Sequence, residues 1–123
     1  MTTPNMTILY VTDVRRSTAF WTDLLGIAPV EAADTFAMMP LAGGMRLGLW
    51  GIAGVAPSSS TLGGGGEICI SLGSAVEVDA THAAWAAAGR TILQPPTDMD
   101  FGRTFTAADP DGHRIRVFCP TLS

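Results

Sequence analysis

The feature that most constrains this chain is a break at its middle. Residues 56 to 66 read APSSSTLGGGG. Proline, serines and four consecutive glycines cannot fill a packed element, so the stretch reads as a linker. The same order of elements stands on both sides of it. A chain of 123 residues cut this way leaves two pieces too small to close separate cores. The pattern therefore predicts one domain of two repeats, about 6–55 and 67–120, that pack together or exchange between chains.

Before the linker, Thr7–Val11 reads as a strand and Asp13 as the cap of a helix over Val14–Leu25. Val14, Trp21, Leu24 and Leu25, with Phe20 alongside, share one helical face, and Gly26 suits a left-handed helix end. Strands follow around Ala28–Glu31 and Thr35–Met39, then a turn at Pro40–Gly44 and a strand at Met45–Gly51. After the linker the order repeats. Glu67–Leu72 is a strand, Val76–Ala88 a helix, and Thr91–Gln94 a strand that Pro95-Pro96 should end. Arg103–Ala107 and Arg114–Cys119 are strands joined by a tight turn, Asp109-Pro110-Asp111-Gly112. Trp21 and Gly26 meet Trp85 and Gly89 at an offset of 63 to 64. The fold class is α+β: two βαβββ units forming a curved, half-closed mixed sheet with helices outside.

Charge removes several function classes. Seven basic residues against eleven acidic ones give a net charge of −4, the wrong sign for phosphate neutralisation along a nucleic acid. All seven are arginines, which excludes a P-loop and a Schiff-base lysine. No apolar run approaches the ~20 residues of a membrane span. The start, Met-Thr-Thr-Pro-Asn, has neither a basic nor an apolar signal region, so a reduced, cytoplasmic protein is expected. Cys69 and Cys119 sit in apolar strand-like runs and read as small core residues. Ser58, Ser59 and Ser60 lie in the linker without a nucleophile elbow.

Two motifs now carry a resemblance. VTDVRRSTAFWTDLLG (Val11–Gly26) and AADPDGHRIRVF (Ala107–Phe118) resemble the first βα unit and the closing hairpin of the vicinal oxygen chelate superfamily, which comprises glyoxalases, bleomycin resistance proteins and dioxygenases. The segments LYVTDVRRSTAFW, LGLWG and DMDFGRTFTAADPDGHRIRV further resemble its phenazine-antibiotic resistance proteins. That likeness implies a homodimer that binds a flat aromatic compound without a metal.

Enzymes of the superfamily hold a divalent metal with His and Glu from the first and last strands of each repeat. The resemblance puts those positions at Met6, Gly48, Glu67 and Arg116. Only Glu67 has a side chain suited to a hard or borderline cation. No metal or other cofactor is therefore expected. Glu67 is either a carboxylate facing the ligand or the partner of an arginine such as Arg116.

A concave sheet face would be lined by alternate strand residues. The candidates are Trp50, Phe36, Met38 and Phe105, with Met99 and Phe101 in the loop before Arg103, and Glu67, Arg103 and Arg116 as the charges. Aromatic rings stack on flat ligands and methionines adapt to irregular ones. Each ring could instead be ordinary core, and Arg103 a surface ion pair. Asp109 and Asp111 read as turn formers, and Asp98 and Asp100 as solvated loop carboxylates. The expected function is sequestration of a small planar hydrophobic compound, such as a phenazine- or bleomycin-type antibiotic. The alternatives are a metal-dependent lyase, isomerase or dioxygenase, and a ligand-free dimerisation module.

Overall fold

In the computed structural model, which describes residues 2–121, the chain divides between Gly63 and Gly64 into two compact units. The division falls inside the glycine run of the linker. Among the described residues no helix is long and apolar enough to cross a membrane.

The first unit runs β1 (Met6–Val11), α1 (Val14–Leu25), β2 (Glu31–Ala32), β3 (Phe36–Pro40) and β4 (Arg46–Gly51). Its sheet has the order β1-β4-β3-β2, with β1 parallel to β4 and the other pairs antiparallel. The Asp13 carboxylate caps α1 by accepting from the Arg16 amide at 3.2 Å. Gly26 ends the helix at φ 68°, its amide donating to the Thr22 carbonyl. Trp21, Val14, Ala37, Met39, Leu47 and Leu49 are buried and form the helix-facing side. The strand expected at Ala28–Glu31 begins only at Glu31, because Pro29 interrupts that stretch.

The second unit repeats the plan with β5 (Glu67–Ser71), α2 (Ala75–Ala87), β6 (Thr91–Met99), β7 (Gly102–Ala108) and β8 (Arg114–Pro120). The order is β5-β8-β7-β6, again with the first and last strands parallel. A variant of the capping box starts α2: Ser74 accepts from the Glu77 amide, and the Glu77 carboxylate accepts at 3.0 Å from the amide of Gly73, one residue before the cap. Val78, Phe105, Ala107 and Val117 form the buried cluster under this helix. Trp85 and His82 meet the Phe105 ring edge-to-face at 5.3 Å. The turn at 109–112 is built as its residues predict, with one Asp109 carboxylate oxygen accepting from the amides of Asp111 and His113.

Two expectations fail here. Strand β6 continues through Pro95-Pro96 to Met99 instead of stopping. It is an edge strand, where an outward N–H makes no ladder bond, and the register shifts on either side of Gln94 leave Pro95 and Pro96 outside the paired residues. Cys69 is exposed, not core: it shares strand parity with Glu67, while Ile68 and Ile70 take the helix-facing side. Cys119 does pack against the core cluster.

Candidate functional site

Each sheet has one face under its helix and one face away from it. Strand alternation decides which side chains reach the second face. In the first unit these are Met6, Ile8 and Tyr10 of β1, Phe36 and Met38 of β3, and Gly48 and Trp50 of β4. Phe36 pairs with Trp50 across the ladder, and Trp50 meets Tyr10 edge-to-face at 6.3 Å. Gly48 is the low point of this face. A methyl group there would lie 2.8 Å from Met6 Cε and 3.0 Å from Phe36 Cζ, so its neighbours fold over the bare backbone. The result is an apolar, aromatic surface. It brings together three expected residues, Phe36, Met38 and Trp50.

The corresponding face of the second unit is polar. Arg116 Nε donates to Glu67 Oε1 at 2.7 Å and Nη2 to Oε2 at 2.8 Å, a bidentate pair. Arg116 Nη1 donates to Thr104 Oγ1 at 3.1 Å and to Gln94 Oε1 at 3.3 Å. Thr104 in turn donates to the Val117 carbonyl, and Thr106 to Gln94 Oε1. The guanidinium carbon lies 5.6 Å from the centre of the Phe101 ring, which stands edge-to-face with Phe118 at 5.9 Å. Gln94 Nε2 reaches Met99 Sδ at 3.5 Å. The side chains of Arg116 and Glu67 are 18% and 29% exposed, so the pair is screened less than a surface one.

Electrostatics follow from this geometry. The hydrogen bonds from Arg116 hold the Glu67 carboxyl below the usual carboxylate range despite desolvation, and the same pairing raises Arg116. Desolvation first, and the Glu67 charge second, push the Cys69 thiol up. A raised thiol is a poor nucleophile at neutral pH.

Glu67, Arg116, Phe101 and Met99 are thus gathered on this second face. Arg103 and Phe105 are not, and their assignment to a concave lining is corrected. Phe105 is fully buried beneath α2. Arg103 lies on the same side, donating to Asp79 of α2 at 3.0 Å and to Asp98 at 3.2 Å. These partners, Asp79 first, raise its pKa. The shift of face has a local cause: Gly102, at φ 135°, turns the backbone between Phe101 and Arg103. The structure adds Phe118, Gln94, Thr104 and Thr106 in the second unit, and Met6, Ile8 and Tyr10 in the first.

The four positions at which superfamily enzymes hold a metal do not make a ligand set. Met6 and Gly48 lie side by side in the first unit without an oxygen or nitrogen ligand. In the second, both oxygens of Glu67 are taken by the cation of Arg116. Among the described residues no three His, Cys, Asp or Glu side chains gather elsewhere for an ion. A separate cleft of about 760 Å³ runs along α1, lined by Thr18, Thr22, Asp23, Ile27 and Pro29 among others, without an aromatic ring.

Comparisons with known proteins agree with this architecture. The sequence profile of the Glyoxalase/Bleomycin resistance protein/Dioxygenase superfamily matches residues 3–117. The phenazine antibiotic resistance protein EhpR of Enterobacter agglomerans is 34% identical over 122 residues, which cover 96% of this chain and 92% of that protein. A protein of Agrobacterium tumefaciens, its structure solved in solution by NMR, is 49% identical with a TM-score of 0.91 over 99% of this chain and all of its own. A glyoxalase-related enzyme from Fulvimarina pelagi shares the fold at 22% identity, with a TM-score of 0.83 over 97% of this chain and 88% of that one.

Proposed function

This chain belongs to the Glyoxalase/Bleomycin resistance protein/Dioxygenase superfamily, and we propose that it binds and sequesters a small planar hydrophobic compound without a metal. The observation that carries the proposal is the Glu67–Arg116 pair. Of the four positions, the one carboxylate suited to an ion has both oxygens engaged by an arginine, and aromatic groups on the open sheet face of each unit offer stacking surfaces instead. Trp50 and Phe36 supply rings on one sheet face, Phe101 and Phe118 on the other. The name of EhpR, a phenazine antibiotic resistance protein, supports a phenazine-type antibiotic as the compound and resistance as the outcome. A bleomycin-type compound is the second candidate class. The homodimer and the cytoplasmic location belong to the same proposal, and light scattering on the purified chain tests the first.

The functional test uses the purified, untagged protein. Elemental analysis is expected to find no stoichiometric metal. Phenazine should raise the melting temperature, because a ligand selective for the folded state stabilises it. Zinc, manganese and magnesium should leave it unchanged. A stoichiometric ion, or a shift produced by one, would restore the lyase, isomerase or dioxygenase reading, since that chemistry needs a cation to polarise substrate oxygens. Trp50→Ala should weaken phenazine binding about ten-fold or more; unchanged affinity removes Trp50 from the site.

A further inference from the structure

An arginine beside aromatic rings would ordinarily be read as the receptor for a ligand carboxylate. The hydrogen bonds of Arg116 point the other way. A guanidinium has five N–H donors. Two are spent on Glu67, one on Thr104 and one on Gln94. A single Nη2 proton is left, and one donor cannot form the two-pronged contact by which arginine holds a carboxylate. The charge is spent as well. An incoming carboxylate would find Arg116 already neutralised and the Glu67 anion within a few ångströms of it, a like-charge approach at a partly desolvated place. Arg114 is the other cation on this face. It sits across the ladder from Glu67, at the exposed end of β8, where solvent screens it.

Resting on the functional reading above, we propose that Glu67 sets the charge of the ligand: by holding Arg116 it reserves this face for uncharged planar compounds that accept one hydrogen bond, and rejects carboxylates of the same skeleton. The guanidinium lies over the Phe101 ring, and the part of that ring left exposed is the stacking surface. Thr104 and Gln94 keep the guanidinium plane fixed, so the one remaining donor has a defined direction. Glu67 is a specificity-determining residue here, acting through Arg116.

The test is isothermal titration of the full chain with phenazine-1-carboxamide and with phenazine-1-carboxylate at neutral pH, where the acid is ionised. The wild-type protein should bind the amide about ten-fold tighter or more. In Glu67→Gln, which frees Arg116 donors and its charge at nearly constant volume, that preference should fall by at least about ten-fold. In Arg114→Gln it should stay within about two-fold of wild type. Equal affinities, or tighter binding of the carboxylate by the wild-type protein, overturn the inference while leaving planar-ligand binding intact. A preference that does not move in folded Glu67→Gln, or that moves as far in Arg114→Gln, overturns it too. Failure of the amide to bind at all overturns the functional reading and this inference with it. The wild-type comparison needs no variant, so the outcome does not hang on the folding of Glu67→Gln.

Discussion

The two units are built to one plan and finished for different surroundings. Both order their strands first-last-third-second, and both place one helix over one face. The helix-facing sides are alike in chemistry: Trp21, Met39, Leu47 and Leu49 in one, Val78, Phe105, Ile115 and Val117 in the other. The opposite faces are not. Gly48 on the last strand of the first unit sits across from Ile8, between Met6 and Phe36. Arg116 on the last strand of the second sits across from Cys69 and is bound to Glu67. The fold therefore asks for only half of each strand's pattern. The other half is free to differ, and it carries an apolar surface in one repeat and a polar network in the other.

This comparison can be broken most forcefully at two glycines. An alanine at Gly102 would drive its methyl into the Cys119 carbonyl, at a φ that L residues avoid. Gly102→Ala should cost about 3 kcal/mol or more by strain and overlap. Gly48→Ala meets the mobile end of Met6 and the Phe36 ring and should cost no more than about 1–2 kcal/mol. Urea denaturation of both variants checks the order; a costlier Gly48→Ala would mean the first face is as rigid as a core.

The contrast between sides of a sheet comes next. Phe105→Ala empties the buried cluster under α2 and should lose about 3–5 kcal/mol. Phe36→Ala, on the half-buried open face, should lose about half as much and weaken planar-ligand binding besides. Calorimetric melting and ligand titration separate the two effects. If Phe105→Ala changes affinity as much as Phe36→Ala, the assignment of faces to roles is wrong.

A smaller effect distinguishes the units by pH. Glu67 has its folded pKa depressed by Arg116. Its stabilisation is thus present above the unfolded carboxylate range and is lost as pH falls through the lower, folded value. Wild type should exceed Glu67→Gln in stability by about 1 kcal/mol near neutrality, and the gap should close in acid. A gap that widened on acidification would contradict the pairing. The smallest change is expected at Arg103→Gln, where ligand affinity should stay within experimental error, because its partners lie on the side of α2. A fall in affinity there would return Arg103 to the site.

How much of this was legible depends on how local the cause was. Both helices are readable because Asp13, Gly26 and Gly89 act within a turn of themselves. The Asp109 turn was readable for the same reason. The extent of β6 was not, since Pro95 and Pro96 are tolerated only on a sheet edge, and edge position belongs to the tertiary fold. The same bulged strand hid Gln94. Phe118 and Cys69 were within reach, each standing two residues from a charged candidate on its own strand. Arg103 and Phe105 are not legible as helix-facing residues, because which side of β7 meets α2 is decided by packing between elements.

The prolines of β6 also decide how the second sheet can grow. A sheet edge is a row of vacant donors and acceptors, open to any extended chain that drifts against it. Along β6 that row is interrupted twice, by two residues without N–H groups and by the register shifts around them. A foreign strand would find no continuous ladder there. That margin resists recruitment without the sheet being closed into a barrel, and among the described residues its regular border is the short strand that carries Glu67.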